Sequence, residues 1–324
     1  MKLVFMGTPD FAVGALEALI EAGHEITAVV TQPDKPKGRG KEMQYPPVKE
    51  CALRHGIEVF QPVKIKAPEA VETLRTYEAE LFVVAAFGQI LSQEILDMPK
   101  YGCINIHASL LPKYRGAAPI QWAILDGEPY TGVTIMQMNA GMDTGDILTN
   151  VQVPITPEET GDSLFDKLCI AGAKLCVDTI PLIEQGKLTP RVQNEAEATY
   201  AGRLSKAIGR IDWQEDARVI ERKVRGLNSW PSAYTTYHGK QMKIWSAAVS
   251  DMAYDTDEGG RIAQADGKDA YLPGTITDVA KDCFTVRTGN GELIVHEVQL
   301  EGKKRMSVRD FLLGYSVTVG EMIG

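Results

Sequence analysis

The chain has 324 residues, of which 44% are hydrophobic and 24% are charged, the composition of a soluble globular protein. No apolar run approaches the roughly 20 residues that a membrane span needs, and we expect no membrane association. The net charge of −9 argues against a protein that coats nucleic acid generally. Five cysteines without a C-x-x-C pair support neither a disulfide framework nor a zinc ribbon. The chain begins with a strand and a glycine turn rather than a cleavable signal, so we expect it in the cytoplasm.

Strand-like and helix-like segments alternate through the first part of the chain. A strand at 3–6 leads through a turn at 7–9 into a helix at 11–22. Strands follow at 25–30, 57–60, 81–87 and 103–107, alternating with helices at 47–55, 68–78 and 92–98. A helix at 117–125, strands at 132–138 and 147–153 and a long helix at 163–184 come next. This alternation predicts an α/β fold: a Rossmann-like, mainly parallel twisted sheet with helices on both faces.

A second domain is predicted beyond a polar connector. Residues 1–186 form the predicted first domain, 187–205 the linker and 206–324 the C-terminal domain. After a helix at 215–224, strands are expected at 233–237, 242–247, 274–279, 284–288 and 292–298. Five short strands with hairpin turns predict a small antiparallel barrel of the OB type. The polar, glycine-rich residues 251–271 are expected to be a mobile insertion.

The first turn does not carry a dinucleotide fingerprint. Gly7-Thr-Pro-Asp-Phe-Ala-Val-Gly14 lacks the G-x-G-x-x-G spacing, and Thr31-Gln32 stands where an acidic residue should follow the second strand. We therefore expect no nicotinamide cofactor, and the residue pattern indicates no metal site.

Asn105 and His107 interrupt a strand that otherwise carries hydrocarbon. Because a strand repeats every two residues, both side chains project from one face. They are either satisfied by core hydrogen bonds or exposed at an open strand end, and the following Ser109-Leu-Leu-Pro112 favours the open end. Asp143 lies between glycines in 141–146, a setting typical of a turn, but its loop can bring a carboxylate to the strand-end crevice. Asn105, His107 and Asp143 are therefore candidate catalytic residues.

Two groups of basic residues stand out against the acidic background. Lys35, Lys37, Arg39 and Lys41 follow the second predicted strand, so they project from the carboxyl edge of the sheet. Residues 206–324 are nearly neutral, with 16 basic and 17 acidic residues. Their basic residues include a helical stripe and a later cluster, namely Arg218, Arg222 and Arg225, and then Lys303, Lys304, Arg305 and Arg309. Each group is either a solvated face or a phosphate contact.

Six segments carry a resemblance to a known family. Gly102–Gln121, Gly132–Met138 and Gly141–Asp146 resemble the formyltransferases that use 10-formyltetrahydrofolate. Thr31–Lys41, Gly209–Trp213 and Arg225–Tyr234 resemble the members of that family that formylate methionyl-tRNA. The resemblance covers both predicted domains.

The resemblance implies specific roles. An amine would attack the formyl carbon directly, Asn105 and protonated His107 would donate to the oxyanion, and Asp143 would keep His107 protonated and help to remove the amine proton. Folate would bind along Ser109, Leu110, Leu111 and Pro112 and along Phe87, Gly88, Gln89 and Ile90. The basic loop, with Arg39 foremost, would contact the acceptor end of initiator methionyl-tRNA.

Other functions remain open on the residues alone. A formyltransferase acting on a small amine, such as an amino sugar or a purine precursor, would need the same catalytic trio without the basic loop. A tRNA-binding module without activity and a folate hydrolase are further alternatives. We expect a monomer.

Overall fold

The computed structural model describes residues 1–37, 42–250 and 271–324. It contains two compact units, the first formed by Met1–Ile120, Pro129–Ile155 and Ser163–Gly202 and the second by Gln121–Glu128, Thr156–Asp162 and Arg203–Gly324. Nearly all of the predicted mobile insertion lies outside the described residues, as do Arg39 and Lys41. None of the described helices combines the length and apolar composition needed to cross a membrane.

The first 202 residues follow the predicted alternation. The strands are β1 (Lys2–Gly7), β2 (Glu25–Val30), β3 (Lys35–Lys37), β4 (Glu42–Gln44), β5 (Val59–Phe60), β6 (Leu81–Ala85), β7 (Cys103–His107), β8 (Arg115–Gly116), β9 (Tyr130–Gln137), β10 (Ile147–Pro154) and β11 (Tyr200–Ala201). The helices are α1 (Asp10–Glu21), α2 (Pro47–Arg54), α3 (Pro68–Thr76), α4 (Gln93–Leu96), α5 (Pro119–Leu125) and α6 (Gly161–Glu184).

Seven strands form the central sheet of the first unit, in the order β10-β9-β7-β6-β1-β2-β5. The five strands from β7 to β5 are parallel, whereas β9 runs antiparallel to β7 and β10 antiparallel to β9. Every residue of β6 and β7 is buried, as expected for strands covered on both faces. The predicted mainly parallel sheet is confirmed.

Helix α1 buries one apolar face and forms polar contacts with α2. Its buried residues are spaced for one helical face: Phe11, Ala12, Ala15, Leu16 and Leu19. Glu17 of α1 binds two residues at the C-terminal end of α2. Its carboxylate accepts a hydrogen bond from Arg54 at 2.8 Å and lies 2.7 Å from His55 Nε2. Apolar burial therefore holds α1 in the core, and an ion-pair cluster joins α2 to it.

Two segments predicted as loop or linker have regular structure. Strands β3 and β4 pair antiparallel, so the described parts of the basic loop form the two sides of a hairpin. Within the predicted linker, Arg191 exchanges two backbone hydrogen bonds with Ile147, and Asn194 caps a 3-10 helix at Glu195–Glu197. Strand β11 then pairs parallel with β8. Residues 191–202, which we call the connector, are thus part of the first unit.

The second unit is built mainly from antiparallel strands. Its elements are α7 (Ala217–Gly226), β12 (Ala233–Tyr237), β13 (Lys240–Val249), β14 (Ile276–Val279), β15 (Phe284–Arg287), β16 (Glu292–Leu300), β17 (Met306–Ser307) and α8 (Val308–Gly314). The sheet order is β12-β13-β16-β15-β14, with β17 paired to β16. One apolar cluster, which includes Trp213, Phe284 and Phe311, fills its interior. This is the arrangement of a small barrel, as predicted.

Candidate active site

The structure places Asn105 and His107 on one face of β7 at its carboxyl end. Asn105 lies opposite Val84 of β6 and Met136 of β9, and His107 opposite Thr134 of β9. Their exposed fractions are 9% and 5%. Within the described part of the chain, the Asn105 amide has no hydrogen-bond partner. Because a nearly buried amide is costly to leave unpaired, this side chain is available to a ligand.

The His107 ring is fixed by one nitrogen and leaves the other without a close hydrogen bond. Its Nε2 atom lies 2.9 Å from the carbonyl oxygen of Tyr114. Because a carbonyl can only accept, Nε2 carries a proton. The Nδ1 atom lies 3.7 Å from Oδ2 of Asp143, too far for an ordinary hydrogen bond. A second proton, on Nδ1, would therefore lie beside a carboxylate.

Asp143 reaches the site by a route that the sequence did not reveal. Since β9 runs antiparallel to β7, the end of β9 lies beside the start of β7, where Gln137 pairs with Ile104. The loop after β9 therefore folds back toward His107. Asp143 has a left-handed φ of 55°, and its Oδ2 accepts a 2.8 Å hydrogen bond from the Gly116 N–H. The carboxylate is thus anchored at a fixed position beside the imidazole.

The turn at Ser109–Pro112 is held by the neighbouring strand. Thr134 Oγ1 of β9 donates to the Ser109 carbonyl at 2.7 Å and accepts from the Leu111 N–H at 3.1 Å. Ser109 Oγ donates to the Lys113 carbonyl at 2.6 Å. The turn predicted to contact folate, including Leu110 and Pro112, is therefore fixed before any ligand binds.

The second predicted folate segment follows β6. Phe87 is buried in the core, and the Gln89 side chain accepts from the Ile65 N–H and donates to the Pro62 carbonyl. Among the residues described, the backbone N–H groups of Gly88, Gln89 and Ile90 have no acceptor. Backbone groups, rather than the Gln89 amide, are free to recognise a ligand here.

The basic residues near the first unit's hairpin are only partly described. Lys35 is exposed on β3. Lys37 is described by its backbone alone, and Arg39 and Lys41 lie outside the described residues. The predicted role of this group in binding tRNA stays a prediction.

The basic stripe on α7 is largely used by contacts inside the second unit. Arg222 Nε donates to the Leu125 carbonyl, and Arg225 pairs with Glu221 and donates to the Glu159 carbonyl. Arg218 remains exposed, as do Lys303 and Lys304. Arg309 is exposed as well, whereas Arg305 donates to Glu297, so four of the predicted basic residues of this unit are open to a phosphate.

Trp245 is a candidate binding residue that the sequence analysis did not single out. The Lys243 ammonium lies 5.4 Å and the Arg305 guanidinium 4.9 Å from the centre of its half-buried ring. An aromatic ring flanked by two cations is typical of surfaces that bind nucleic acid.

Arg115 and Gln193 are further residues that the sequence analysis assigned no role. The Arg115 side chain is fully buried and hydrogen-bonds to Gln193 and Glu195 of the connector. Gln193 in turn contacts the Asp143 loop. No sequence signal pointed to this network, because its members are polar residues far apart in the chain.

One group of described residues has the composition of a metal site. Potential ligand atoms of Glu17, Cys51 and His55 lie within 4.8 Å of one another. Arg54 already pairs with the Glu17 carboxylate at 2.8 Å, and burial raises the pKa of the Cys51 thiol to about 12. An ion-pair cluster describes this group better than a cation site.

Comparison with known proteins identifies the family. Residues 1–180 match the family model described as formyl transferase, and residues 203–316 match that of the formyl transferase C-terminal domain. The chain belongs to the formyl transferase family. Two relatives are named methionyl-tRNA formyltransferase: one from Agathobacter rectalis, 58% identical over 99% of this chain and 98% of its own, and one from Lachnospira eligens, 52% identical over the whole of both.

Solved structures of formyl transferases share the fold at low identity. WlaRD, a sugar 3N-formyl transferase crystallised in the presence of dTDP and 5-N-formyl-THF, is 18% identical, with a TM-score of 0.64 over 94% of this chain and 99% of its own. This likeness supports the predicted fold.

Proposed function

We propose that this protein transfers the formyl group of 10-formyltetrahydrofolate to the amino group of initiator methionyl-tRNA, giving the formylated tRNA used to begin translation. One observation carries the proposal: at the end of β7, the unpaired Asn105 amide lies on the same face of the strand as His107, and His107 lies beside Asp143. Full-length similarity to proteins named methionyl-tRNA formyltransferase supports the choice of acceptor. The cytoplasmic location and the monomeric state stay predictions.

The unpaired amide suits the first step of this reaction. Attack of the amine on the formyl carbon produces a tetrahedral intermediate whose oxygen gains negative charge. Asn105, whose amide has no partner among the described residues, would donate a hydrogen bond to that oxygen. No internal bond would have to break first.

His107 and Asp143 suit the proton transfers. With Nε2 bonded to Tyr114, the Nδ1 atom is the one that would face the reacting groups, and a proton there would be shared with the oxyanion. Asp143 would accept the proton released by the attacking amine, directly or through water. The intermediate would then collapse with cleavage of the bond between the formyl carbon and N10 of the folate, and N10 would take up a proton as tetrahydrofolate leaves. The hydrogen bond from Gly116 would hold its carboxylate in place.

The two loops flanking the trio would hold the folate. Free backbone N–H groups at 88–90 would recognise the pterin ring, and the fixed Ser109–Pro112 turn would form the adjacent wall. The donor set is neutral and polar, which suits a pterin. We propose no NAD and no metal in this reaction.

The tRNA would be held by basic residues of both units. In the first unit these are Lys35, Lys37, Arg39 and Lys41. In the second unit, exposed Arg218, Lys303 and Lys304 would meet phosphates, and Trp245 would provide a stacking surface for a base. The predicted residues Arg222 and Arg225 would shape the surface rather than bind directly.

An assay with purified protein and 10-formyltetrahydrofolate tests the proposal. We expect formylation of methionyl-tRNA and little formylation of free methionine at the same concentration. An amino sugar nucleotide and a purine-precursor amine serve as competing acceptors. Equal efficiency with free methionine, or a preference for a small amine, would contradict the proposed acceptor. Release of formate without an acceptor would indicate a hydrolase.

A further inference from the structure

One side chain of the connector, Gln193, hydrogen-bonds to the loop that carries Asp143. Its Nε2 atom donates to the carbonyl oxygens of Asp143 and Gly145, at 2.8 and 2.7 Å. The side chain is buried, with 6% of the residue exposed. Two hydrogen bonds from one buried amide therefore fix the backbone on either side of Thr144.

Arg115 sets the orientation of that amide. Its Nε and Nη2 atoms donate to Gln193 Oε1 at 3.0 and 2.9 Å. The reversed amide would place its NH₂ group against a guanidinium and its oxygen against two carbonyls, so only one orientation is compatible with the surroundings. The guanidinium of Arg115 is fully buried, and its positive charge is balanced by the Glu195 carboxylate, which accepts two hydrogen bonds from it.

The loop needs such support. Asp143 has a left-handed backbone that a non-glycine residue rarely adopts, so its surroundings must hold it there. On the other side of the loop, Gly145 lies against the Gln137 carbonyl, where an added Cβ would lie 1.7 Å from the oxygen. Gln193 and the end of β9 therefore confine the loop between them.

Residues 114–116 connect every part of this arrangement. The Tyr114 carbonyl binds His107, the Arg115 side chain orients Gln193, and the Gly116 N–H binds the Asp143 carboxylate. The same segment pairs with β11 of the connector. The positions of the imidazole and the carboxylate thus depend on one short strand and its connector partner.

We infer that Gln193 is a positioning residue for Asp143, with Arg115 as its support. This inference rests on the proposed function, because it assigns a role relative to the proposed catalytic trio. Gln193 acts through the backbone of the loop and, among the described residues, hydrogen-bonds to neither His107 nor Asn105. Its loss would shift the carboxylate relative to the imidazole while leaving the folate and tRNA surfaces in place.

Two variants test the inference in the full-length protein. Gln193→Ala removes all of the hydrogen bonds, and Gln193→Glu keeps the acceptor for Arg115 but lacks the two donors. For both we expect kcat to fall by about 10- to 100-fold, the usual effect of losing a supporting hydrogen bond. The KM values for folate and methionyl-tRNA should change by less than about threefold.

A double-mutant cycle with Asp143→Ala separates positioning from a general loss of stability. If Gln193 acts through Asp143, Gln193→Glu should lower kcat by less than about threefold in the Asp143→Ala background. An equal loss in both backgrounds would overturn the inference. So would a loss confined to KM, or loss of the fold in both Gln193 variants.

Asn194→Ala is the matched control within the connector. It removes the cap of the 3-10 helix without touching the Asp143 loop, so kcat should match the wild type. A loss equal to that of Gln193→Ala would overturn the inference, since any loosening of the connector would then suffice. A wild-type protein that does not formylate methionyl-tRNA contradicts the proposed function. An active wild type with unchanged Gln193 variants contradicts only this inference.

Discussion

The fully buried guanidinium of Arg115 forms a two-point ion pair with Glu195, whose side chain is 70% exposed. A charge inside the protein is thus neutralised by a carboxylate at its surface. The hydrogen bonds from Arg115 lower the pKa of the Glu195 carboxyl. The ion pair consequently makes the stability of the first unit sensitive to acid.

Glu195→Gln tests that sensitivity. Folding lowers the pKa of the Glu195 carboxyl below its ordinary value of 4.5. The contribution of the ion pair to the stability of the protein is therefore complete above pH 4.5 and is lost as the pH falls through the lower pKa of the folded state. We expect the variant to have a lower Tm than the wild type at pH 7, with the difference shrinking below about pH 4.5. Thermal melts from pH 3 to 7 measure it. Glu197→Gln, in the same 3-10 helix, should follow the wild type throughout; a pH-independent difference for Glu195→Gln would contradict the prediction.

Asn105→Ala should lower activity without lowering stability. The amide has no partner in the described structure, so its removal breaks no internal hydrogen bond. Loss of one oxyanion donor typically lowers kcat by about 10²–10³. Formylation kinetics and thermal melting of the same preparation check both parts. Near-wild-type turnover would exclude Asn105 from the reaction.

Two threonines of β9 form a matched pair for the folate turn. Thr134 forms two hydrogen bonds with the Ser109–Leu111 turn, whereas the buried Thr131 hydroxyl has no hydrogen-bond partner among the described residues. Thr134→Val should raise the KM for 10-formyltetrahydrofolate and cost about 1–3 kcal/mol of stability. Thr131→Val should leave the KM for 10-formyltetrahydrofolate unchanged and should leave the stability unchanged or raise it. Equal effects would show that the turn does not depend on Thr134.

We expect opposite outcomes when two of the glycines, Gly145 and Gly14, are replaced by alanine. At Gly145 a Cβ would collide with the Gln137 carbonyl, so Gly145→Ala should displace the Asp143 loop and abolish most activity. At Gly14, inside α1, a Cβ meets nothing within 4 Å, so Gly14→Ala should stabilise the protein by about 0.5–1 kcal/mol. Activity assays and thermal melts of both variants test this. An active Gly145→Ala variant or a destabilised Gly14→Ala variant would contradict the prediction.

Arg39→Ala tests the predicted tRNA loop. If Arg39 binds a phosphate, the variant should have a higher KM for methionyl-tRNA, and the dependence of log KM on log salt should become shallower by about one unit. The KM for folate should not change. Lys187→Ala, which removes an exposed cation of the first unit, is the control. Equal effects of both substitutions would point to general charge rather than a specific contact.

The sheet could be predicted, and Asn105, His107 and Asp143 could be proposed as catalytic candidates, because their signals are local. Buried strands are short apolar runs separated by turns, and Asn105 and His107 break the apolar character of one such run at a spacing of two. The short helix α8 was missed, although Ser307 caps it with a hydrogen bond from the Asp310 N–H. Seven residues provide too little periodicity to distinguish a helix from a loop.

The rest of the site could not be predicted because its contacts join distant residues. The direction of β9 cannot be deduced from its apolar pattern, so the sequence predicts Asp143 at the strand-end crevice without revealing that its loop folds back from the end of an antiparallel strand. Gln193 lies in a polar segment that has the composition of a linker, and its partner Arg115 is 78 residues away. Local composition does not distinguish a solvated polar residue from one that binds a buried guanidinium.

The pairing of β8 with β11 has a consequence for how the protein is made. Tyr114 binds Thr199, 85 positions later in the chain, and contacts of such long range form late. When the ribosome has synthesised Asn105, His107 and Asp143, the strand that braces them has not yet been translated. The nascent first unit therefore contains the proposed catalytic side chains before their positions are fixed by the pairing of β8 with β11, which forms only after residues 200–201 have been synthesised.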